Sequence, residues 1–260
     1  MRIGLYPFPS CGDMSANLAH IRTGTALAAE QSVELLVFHE CALCGYPPLE
    51  TSMEAVTPER VSAGLQQVAA LAKDHAMHIA VGTVRFQRGT RYNSVMVFGP
   101  EGTLLGCYDK QALWGWDCDH FSRGAQPGVF DIGGVRVGFR ICFDVRFPEP
   151  FRQLYRTGAD LCIVCFSDTA EQPDRERYGL ISAHLRTRAV ENVMPILSVN
   201  SLSRCQTAPV CVIDPGGTVL LEAPTGARQL LVWDFSPAAG SFGSRGRRVN
   251  SDLFLELPRV

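Results

Sequence analysis

The sequence lacks long hydrophobic runs and has no strong excess of charge. Its longest apolar runs, such as Leu161–Phe166, have the length of a strand and fall far short of the ~20 residues that span a bilayer. The formal net charge of the 260 residues is only -2, which provides no basic surface for nucleic acid or for an anionic membrane. We therefore expect neither a membrane helix nor a nucleic-acid partner.

The sequence also lacks the marks of secretion. The first residues, Met1–Phe8, have no long apolar stretch and no small-residue cleavage site, and they are typical of a first strand. Ten cysteines are spread through a chain that is 46% hydrophobic, so a core can form without a disulfide framework. We expect a reduced protein of the cytoplasm.

Two cysteine pairs have the spacing of zinc ligands, Cys41-x-x-Cys44 and Cys162-x-x-Cys165. Zinc knuckles place such pairs on tight turns, whereas Cys162 and Cys165 lie in an apolar run that is typical of a strand. Residues three apart in a strand point to opposite faces. The sequence therefore does not favour a metal site.

Short apolar strands alternate with amphipathic helices and with hairpins. Helices are predicted from Asp13 to about Glu30, after Thr57-Pro58, and from about Arg175 to Asn192. Residues 78–110 resemble three antiparallel strands joined by turns. This order indicates an α/β protein in which layered sheets are covered by helices on their outer faces.

Three chemically useful side chains follow apolar strands: Glu40, Lys110 and Cys142. They are 70 and 32 residues apart, so only the fold can bring them together. A thiol becomes a strong nucleophile when it loses its proton, which a neighbouring ammonium favours. A desolvated glutamate has a raised pKa and can carry a proton from thiol to leaving amine.

Six ordered sequence blocks extend this pattern over nearly the whole chain, and on them the sequence resembles the nitrilase superfamily of carbon–nitrogen hydrolases. The blocks are Leu36–Glu40 with Gly45–Pro47, Tyr92–Ser94, Tyr108–Lys110, Gly138–Glu149, Gly158–Asp160, and Arg188–Asn192 leading to Asn200.

The resemblance implies a four-layer αββα sandwich that forms a homodimer or a higher homo-oligomer. Residues 1–235 would be the carbon–nitrogen hydrolase domain. Residues 236–260 are predicted to be an irregular C-terminal tail, which packs at a dimer interface or is solvated.

By position in these blocks, Glu40 resembles the family's general base, Lys110 its catalytic lysine and Cys142 its nucleophile. The implied reaction attacks a carboxamide carbon, with Lys110 and the backbone N–H of Phe143 on the developing oxyanion. It passes through a thioester and needs neither a metal nor an organic cofactor.

The residues after the nucleophile, Phe143-Asp144, are similar to the amidase branches rather than to true nitrilases, which usually carry Trp-Glu. The expected substrate is a small carboxamide or N-carbamoyl compound, cleaved to acid and ammonia. Two alternatives stay open: a nitrilase acting on a small nitrile, and a non-catalytic binding or assembly protein on the same fold.

Three positions depart from the family pattern. His39 replaces the usual proline before the base, and we expect its side chain to point away from that of Glu40. Asp117 stands where a second family glutamate helps to position substrate and lysine, and Asp119 is the alternative. Asp168 lies in the segment where a proline usually ends the strand, which indicates an unusual acyl pocket.

The loop between Lys110 and the nucleophile is rich in aromatic residues. Trp114 and Trp116 are candidates for the wall of a substrate pocket, although they could merely pack under the loop. A Cys–His dyad using His120 or His39 is the rival catalytic design.

Overall fold

The computed structural model describes residues 1–237 and 241–256. Over these residues the chain forms two six-stranded sheets and one two-stranded sheet. Three apolar clusters separate the layers: one between helices and the first sheet, one between the two large sheets, and one between the second sheet and further helices. The predicted αββα sandwich is confirmed.

The first sheet consists of β1 (Arg2–Leu5), β2 (Leu35–Val37), β3 (His78–Gln87), β4 (Thr90–Phe98), β5 (Leu104–Asp109) and β14 (Leu231–Asp234). Its strand order is β14-β1-β2-β3-β4-β5. Strands β1, β2 and β3 pair in parallel, and β3, β4 and β5 form the antiparallel stretch that the sequence predicts.

Helices α1 (Met14–Glu30) and α2 (Pro58–Asp74) cover the outer face of the first sheet. Asp13 caps α1 by accepting a hydrogen bond from the backbone N–H of Ser15, and Thr57 caps α2 with proline at the first helical position. Both predicted helix starts are confirmed.

The second sheet consists of β6 (Val129–Ile132), β7 (Val135–Ile141), β8 (Leu161–Phe166), β10 (Ile196–Asn200), β12 (Cys211–Ile213) and β13 (Val219–Glu222). Its strand order is β13-β12-β10-β8-β7-β6, with β7, β8 and β10 parallel. Helices α4 (Pro148–Arg156) and α5 (Arg175–Asn192) cover its outer face. The small sheet joins β9 (Thr169–Ala170) to β11 (Cys205–Gln206).

The continuous apolar runs of the central strands follow from burial on both faces. In β8, Cys165 packs in the cluster between the two sheets, whereas Cys162 packs under the helices. In β2, Leu35 packs between the two sheets and Leu36 packs under the helices. The expectation that Cys162 and Cys165 point to opposite faces is therefore confirmed.

The C-terminal segment differs from its prediction. Residues 242–254 form helix α6 (Phe242–Phe254), so the expectation of an irregular tail is wrong there. Arg152 of α4 donates a hydrogen bond to the Ser251 hydroxyl at 3.2 Å, and the Tyr155 hydroxyl donates to Asp252 at 2.7 Å. Residues 238–240 and 257–260 of the predicted tail lie outside the described residues.

Among the described residues, no helix has both the length and the apolar character needed to cross a bilayer.

Candidate active site

Glu40 follows β2 and Lys110 follows β5, and both residues lie at the same end of the strands of the first sheet. Both side chains are buried, and Lys110 Nζ lies 2.9 Å from Glu40 Oε1. The Asn93 amide also donates to Oε1 at 2.7 Å, and the backbone N–H of Ser167 donates to Oε2 at 2.8 Å. These donors fix both carboxylate oxygens of Glu40.

Asp117 is the second carboxylate on Lys110. It begins the short helix α3 (Asp117–His120), it is buried, and its Oδ2 lies 2.7 Å from Lys110 Nζ. The Tyr46 hydroxyl donates to Oδ1 at 2.7 Å, and the backbone N–H of Trp114 donates to Oδ2 at 3.3 Å. Asp119 is exposed, so of the two candidate acids it is Asp117 that reaches the lysine.

The nucleophile candidate Cys142 lies at a sharp corner between β7 and the 3₁₀ helix Cys142–Arg146. Its φ of +43° is a left-handed conformation that costs a non-glycine residue about 1–3 kcal/mol. Buried Asp144 holds the corner, since it accepts hydrogen bonds from the backbone N–H of Ile141 at 2.9 Å and of Ala112 at 2.7 Å. The Tyr108 hydroxyl adds a third at 2.7 Å.

The charges of the site act on the thiol in opposite directions. Burial and the charge of Glu40 raise the pKa of Cys142 well above its ordinary value, although Lys110 lowers it. Lys110 therefore acts in the expected direction, but burial outweighs it and the resting sulfur is a thiol. A base is needed to activate it.

The pKa values of Glu40 and Lys110 are shifted in the directions that such a proton transfer requires. Burial raises the pKa of Glu40 above its ordinary value, against the opposing effect of Lys110. Burial by itself would lower the pKa of Lys110, but the charges of Glu40, Cys142 and Asp117 outweigh it and hold that pKa well above its usual value. The lysine thus stays an ammonium while the glutamate can exchange a proton.

Asp168 follows β8, and its carboxylate approaches the nucleophile candidate. Its Oδ2 lies 4.0 Å from Cys142 Sγ. Its Oδ1 accepts a hydrogen bond from the Thr207 hydroxyl and pairs with the Arg177 guanidinium at 2.9 Å. This carboxylate is buried, so it forms part of the site and not of the solvated surface.

The aromatic loop is only partly turned inward. The side chain of Trp114 is exposed, while the Trp116 ring stacks on His120 with 3.7 Å between centroids and packs against the helix-side core. Phe143 is half-buried and meets the Phe147 ring edge-on at 5.4 Å. Contributions of Trp114, Trp116 and Phe143 to substrate positioning stay predictions.

The histidines of the rival Cys–His design are engaged elsewhere. The buried His39 ring lies 4.6 Å from the Phe8 ring, and its Nδ1 lies 3.0 Å from the backbone oxygen of Glu40. Burial lowers the pKa of His39 to about 4. The His120 ring is also engaged, because it stacks on Trp116. The geometry therefore favours Glu40 over a histidine as the base.

Sequence reasoning assigned no role to several residues that complete the site. Asn93 and Tyr46 hold the two carboxylates on Lys110, and Asp144 joins the corner of Cys142 to the segment after Lys110. All three lie inside the sequence blocks quoted above, which was the available signal. Among residues 1–237 and 241–256, no group of three or more His, Cys, Asp or Glu side chains could hold a metal ion.

Known proteins share this architecture. The (R)-stereoselective amidase of a Pseudomonas species is 29% identical over 218 residues, covering 82% of this chain and 76% of that protein. A mutant amidase from Nesterenkonia sp. AN1, with acrylamide added to its active-site cysteine by Michael addition, has a TM-score of 0.80 and 25% identity, covering 98% of this chain and 99% of that one.

A second structure of the Nesterenkonia enzyme, with the acetamide moiety of fluoroacetamide on the active-site cysteine, also matches with a TM-score of 0.80, at 26% identity and 90% coverage of both chains. The carbon–nitrogen hydrolase family profile matches residues 2–240. The chain therefore belongs to the carbon–nitrogen hydrolase family of the nitrilase superfamily, whose members hydrolyse carbon–nitrogen bonds, and it is such a hydrolase.

Proposed function

We propose that this hydrolase is a cysteine-dependent amidase that cleaves a small carboxamide or N-carbamoyl compound to an acid and ammonia. The observation that carries the proposal is the buried Lys110 side chain, held between the Glu40 and Asp117 carboxylates in the same site as the left-handed corner at Cys142. The amidase names of the relatives and the covalent adducts on the Nesterenkonia cysteine support it.

Acylation begins when Glu40 takes the thiol proton and Cys142 Sγ attacks the amide carbon. The carbonyl oxygen gains negative charge, and Lys110 and the backbone N–H of Phe143 stabilise it. Glu40 then gives its proton to the amide nitrogen, the carbon–nitrogen bond breaks, and ammonia leaves. The acyl group remains on sulfur as a thioester.

Deacylation uses the same groups with water in place of the thiol. Glu40 takes a proton from water, and the hydroxide attacks the thioester carbon while Lys110 again holds the oxyanion. The carbon–sulfur bond breaks, and Cys142 recovers the proton through Glu40. One water is consumed for each acid and ammonia released, and the protein returns to its starting state.

The amide is favoured over the nitrile by the Phe143-Asp144 pair after the nucleophile. A nitrilase remains the alternative. Presenting one acyl group to the enzyme as its amide and as its nitrile separates the two, because a faster reaction with the nitrile would reverse the assignment.

The test of the mechanism is Cys142→Ala, followed by ammonia release. Loss of the nucleophile should lower turnover by about 10⁴-fold or more. When wild-type protein is mixed with a panel of amides, mass spectrometry should detect the acyl group on Cys142. The control variant is Cys11→Ala, which changes an exposed cysteine and should keep wild-type activity. Unchanged turnover in Cys142→Ala contradicts the mechanism, and a panel without any adduct or ammonia favours the non-catalytic alternative.

We also propose that the protein works as a homodimer or a higher homo-oligomer in the reducing cytoplasm. Helix α6 exposes apolar side chains, with Phe242 at 87% and Phe254 at 78% of their accessible surface, and a second subunit would cover them. All ten cysteines are free, as a reducing compartment requires. Light scattering that gives a monomer mass would contradict the oligomer.

A further inference from the structure

Asp168 is a buried carboxylate that the mechanism above does not use. Its backbone is fixed, because its N–H donates to Asn200 Oδ1 at 2.9 Å and its C=O accepts from the Asn200 amide at 2.8 Å. Arg177 and Thr207 bind only Oδ1. The side chain is therefore held in one orientation by four contacts that leave Oδ2 directed elsewhere.

Oδ2 is directed at the reacting sulfur. Within residues 1–237 and 241–256, the polar contact of this oxygen is the thiol of Cys142, at 4.0 Å. A substrate carbon bonded to Sγ would lie close to Oδ2, and the atoms one or two bonds beyond it would come within hydrogen-bonding distance.

The tetrahedral carbon on Sγ carries three other groups, and two already have partners. In the proposed mechanism its oxygen is bound by Lys110 and the Phe143 N–H, and its nitrogen takes a proton from Glu40. Glu40 Oε1 accepts from Asn93 and Lys110 and its Oε2 accepts from the backbone N–H of Ser167, so both oxygens are engaged, whereas Asp168 directs Oδ2 at the sulfur. The third group, the acyl chain, is the one left for Asp168.

The charge of the site selects among possible acyl chains. When ionised, Glu40, Asp117 and Asp168 carry three negative charges, against the two positive charges of Lys110 and Arg177. An apolar acyl chain would desolvate Oδ2 without giving it a donor, and an acyl carboxylate would be repelled. A chain with an ammonium group would supply both the donor and the missing positive charge.

We propose that Asp168 is a specificity-determining residue that binds an ammonium group on the α-carbon of the acyl chain, so that the preferred substrates are amino-acid amides. The proposal rests on the amidase function proposed above and adds the class of acyl group. Arg177 and Thr207 act as positioning residues, because they hold the other carboxylate oxygen.

The experiment compares two substrates of the same shape, alaninamide and isobutyramide, which differ in an ammonium group replacing a methyl group. Wild-type protein should prefer alaninamide in kcat/KM. In Asp168→Asn this preference should fall by about 10- to 100-fold, as expected for losing a hydrogen bond between charged groups. Asp119→Asn removes an exposed charge from the neighbouring loop and should leave the preference unchanged.

The pH profile separates recognition from a merely structural role of Asp168. The advantage of alaninamide should disappear as its α-amino group loses its proton near pH ~8, while the isobutyramide profile lacks that step. A variant that loses activity equally on both amides, or a wild type that prefers isobutyramide or the carboxylate-bearing succinamate, overturns the proposal. If neither amide nor succinamate is hydrolysed by wild type and no acyl adduct forms on Cys142, the amidase function itself has failed.

Discussion

The two sheets supply two different halves of the active site. The half from the first sheet and the loop after it contains Glu40, Lys110 and Asp117, and each of the four carboxylate oxygens there accepts at least one hydrogen bond. The half from the second sheet contains Cys142 and Asp168, with a left-handed backbone at the cysteine and one carboxylate oxygen directed at the sulfur.

This difference teaches how one scaffold separates chemistry from recognition. In the proposed mechanism, proton transfer and oxyanion binding belong to the first-sheet half, whose hydrogen-bonded carboxylates need not reorganise during the reaction. In the proposed recognition, the substrate meets Asp168 Oδ2, whose polar contact among the described residues is the Cys142 thiol. Substitutions in the first half should therefore damage every substrate alike, whereas Asp168 should act on the choice between substrates.

The largest effect in the first-sheet half is expected from Glu40→Gln. The amide side chain can still meet Lys110 and Asn93 but cannot accept the thiol proton, so turnover should fall by about 10²- to 10⁴-fold on every amide. The loss should be smaller for an ester of the same acyl group with a good leaving group, because that leaving group needs no proton. Steady-state kinetics on the matched amide and ester measure this.

The control for Glu40→Gln is Glu59→Gln, an exposed position in the first turn of α2. It should retain wild-type turnover. An equal loss of turnover on amide and ester in Glu40→Gln would mean that Glu40 does not protonate the leaving group. The assignment of proton transfer to the first-sheet half would then be wrong.

A smaller effect is expected from Asp117→Asn, which removes one of the two charges on Lys110. The lysine keeps Glu40, so the oxyanion site weakens but does not vanish, and kcat/KM should fall by about 10- to 100-fold on all amides. Asp119→Asn, two residues along the same loop, should change activity by less than about twofold. If Asp117→Asn instead altered the alaninamide to isobutyramide ratio, the first-sheet half would also take part in recognition.

The first-sheet half was also the half more open to prediction from sequence. Apolar strands located Glu40 and Lys110 in this half, as they did Cys142 in the other, but separations of 70 and 32 residues meant that only the family resemblance could assemble them. The family pattern indicated Asp117 as the second acid, with Asp119 as the alternative. The approach of Asp168 Oδ2 to the sulfur did not follow, because it depends on how Arg177 and Thr207 hold the side chain in three dimensions.

Helix α6 shows the same limit outside the site. Irregular structure is predicted for this segment, and its Gly243 and Gly246 do disfavour a helix. Packing on α4 through Ser251 and Asp252 stabilises the helix instead. By contrast, the helix predicted from about Arg175 to Asn192 has the observed bounds. Its N-terminus is capped by Asp174, which accepts a hydrogen bond from the backbone N–H of Arg177, and such a cap can be read from the local sequence.

The smallest effect concerns stability, at the residue that precedes the base. The pKa of His39 is about 4 in the fold and about 6.5 for an ordinary histidine, so between these values the unfolded chain binds more protons. His39 therefore contributes fully above pH 6.5, and its contribution is lost as pH falls toward 4, by up to about 3 kcal/mol. His39→Leu removes this dependence. By urea unfolding, the wild type should be the more stable protein at pH 7.5 and the variant the more stable one at pH 4.

The difference at pH 7.5 serves as the control for the change in packing. If the free energies of unfolding of variant and wild type differed by the same amount at both pH values, His39 would not be held neutral in the fold. In that case the first-sheet half would carry a further positive charge in acid beside Glu40, and its description as a fully paired, unchanging half would fail.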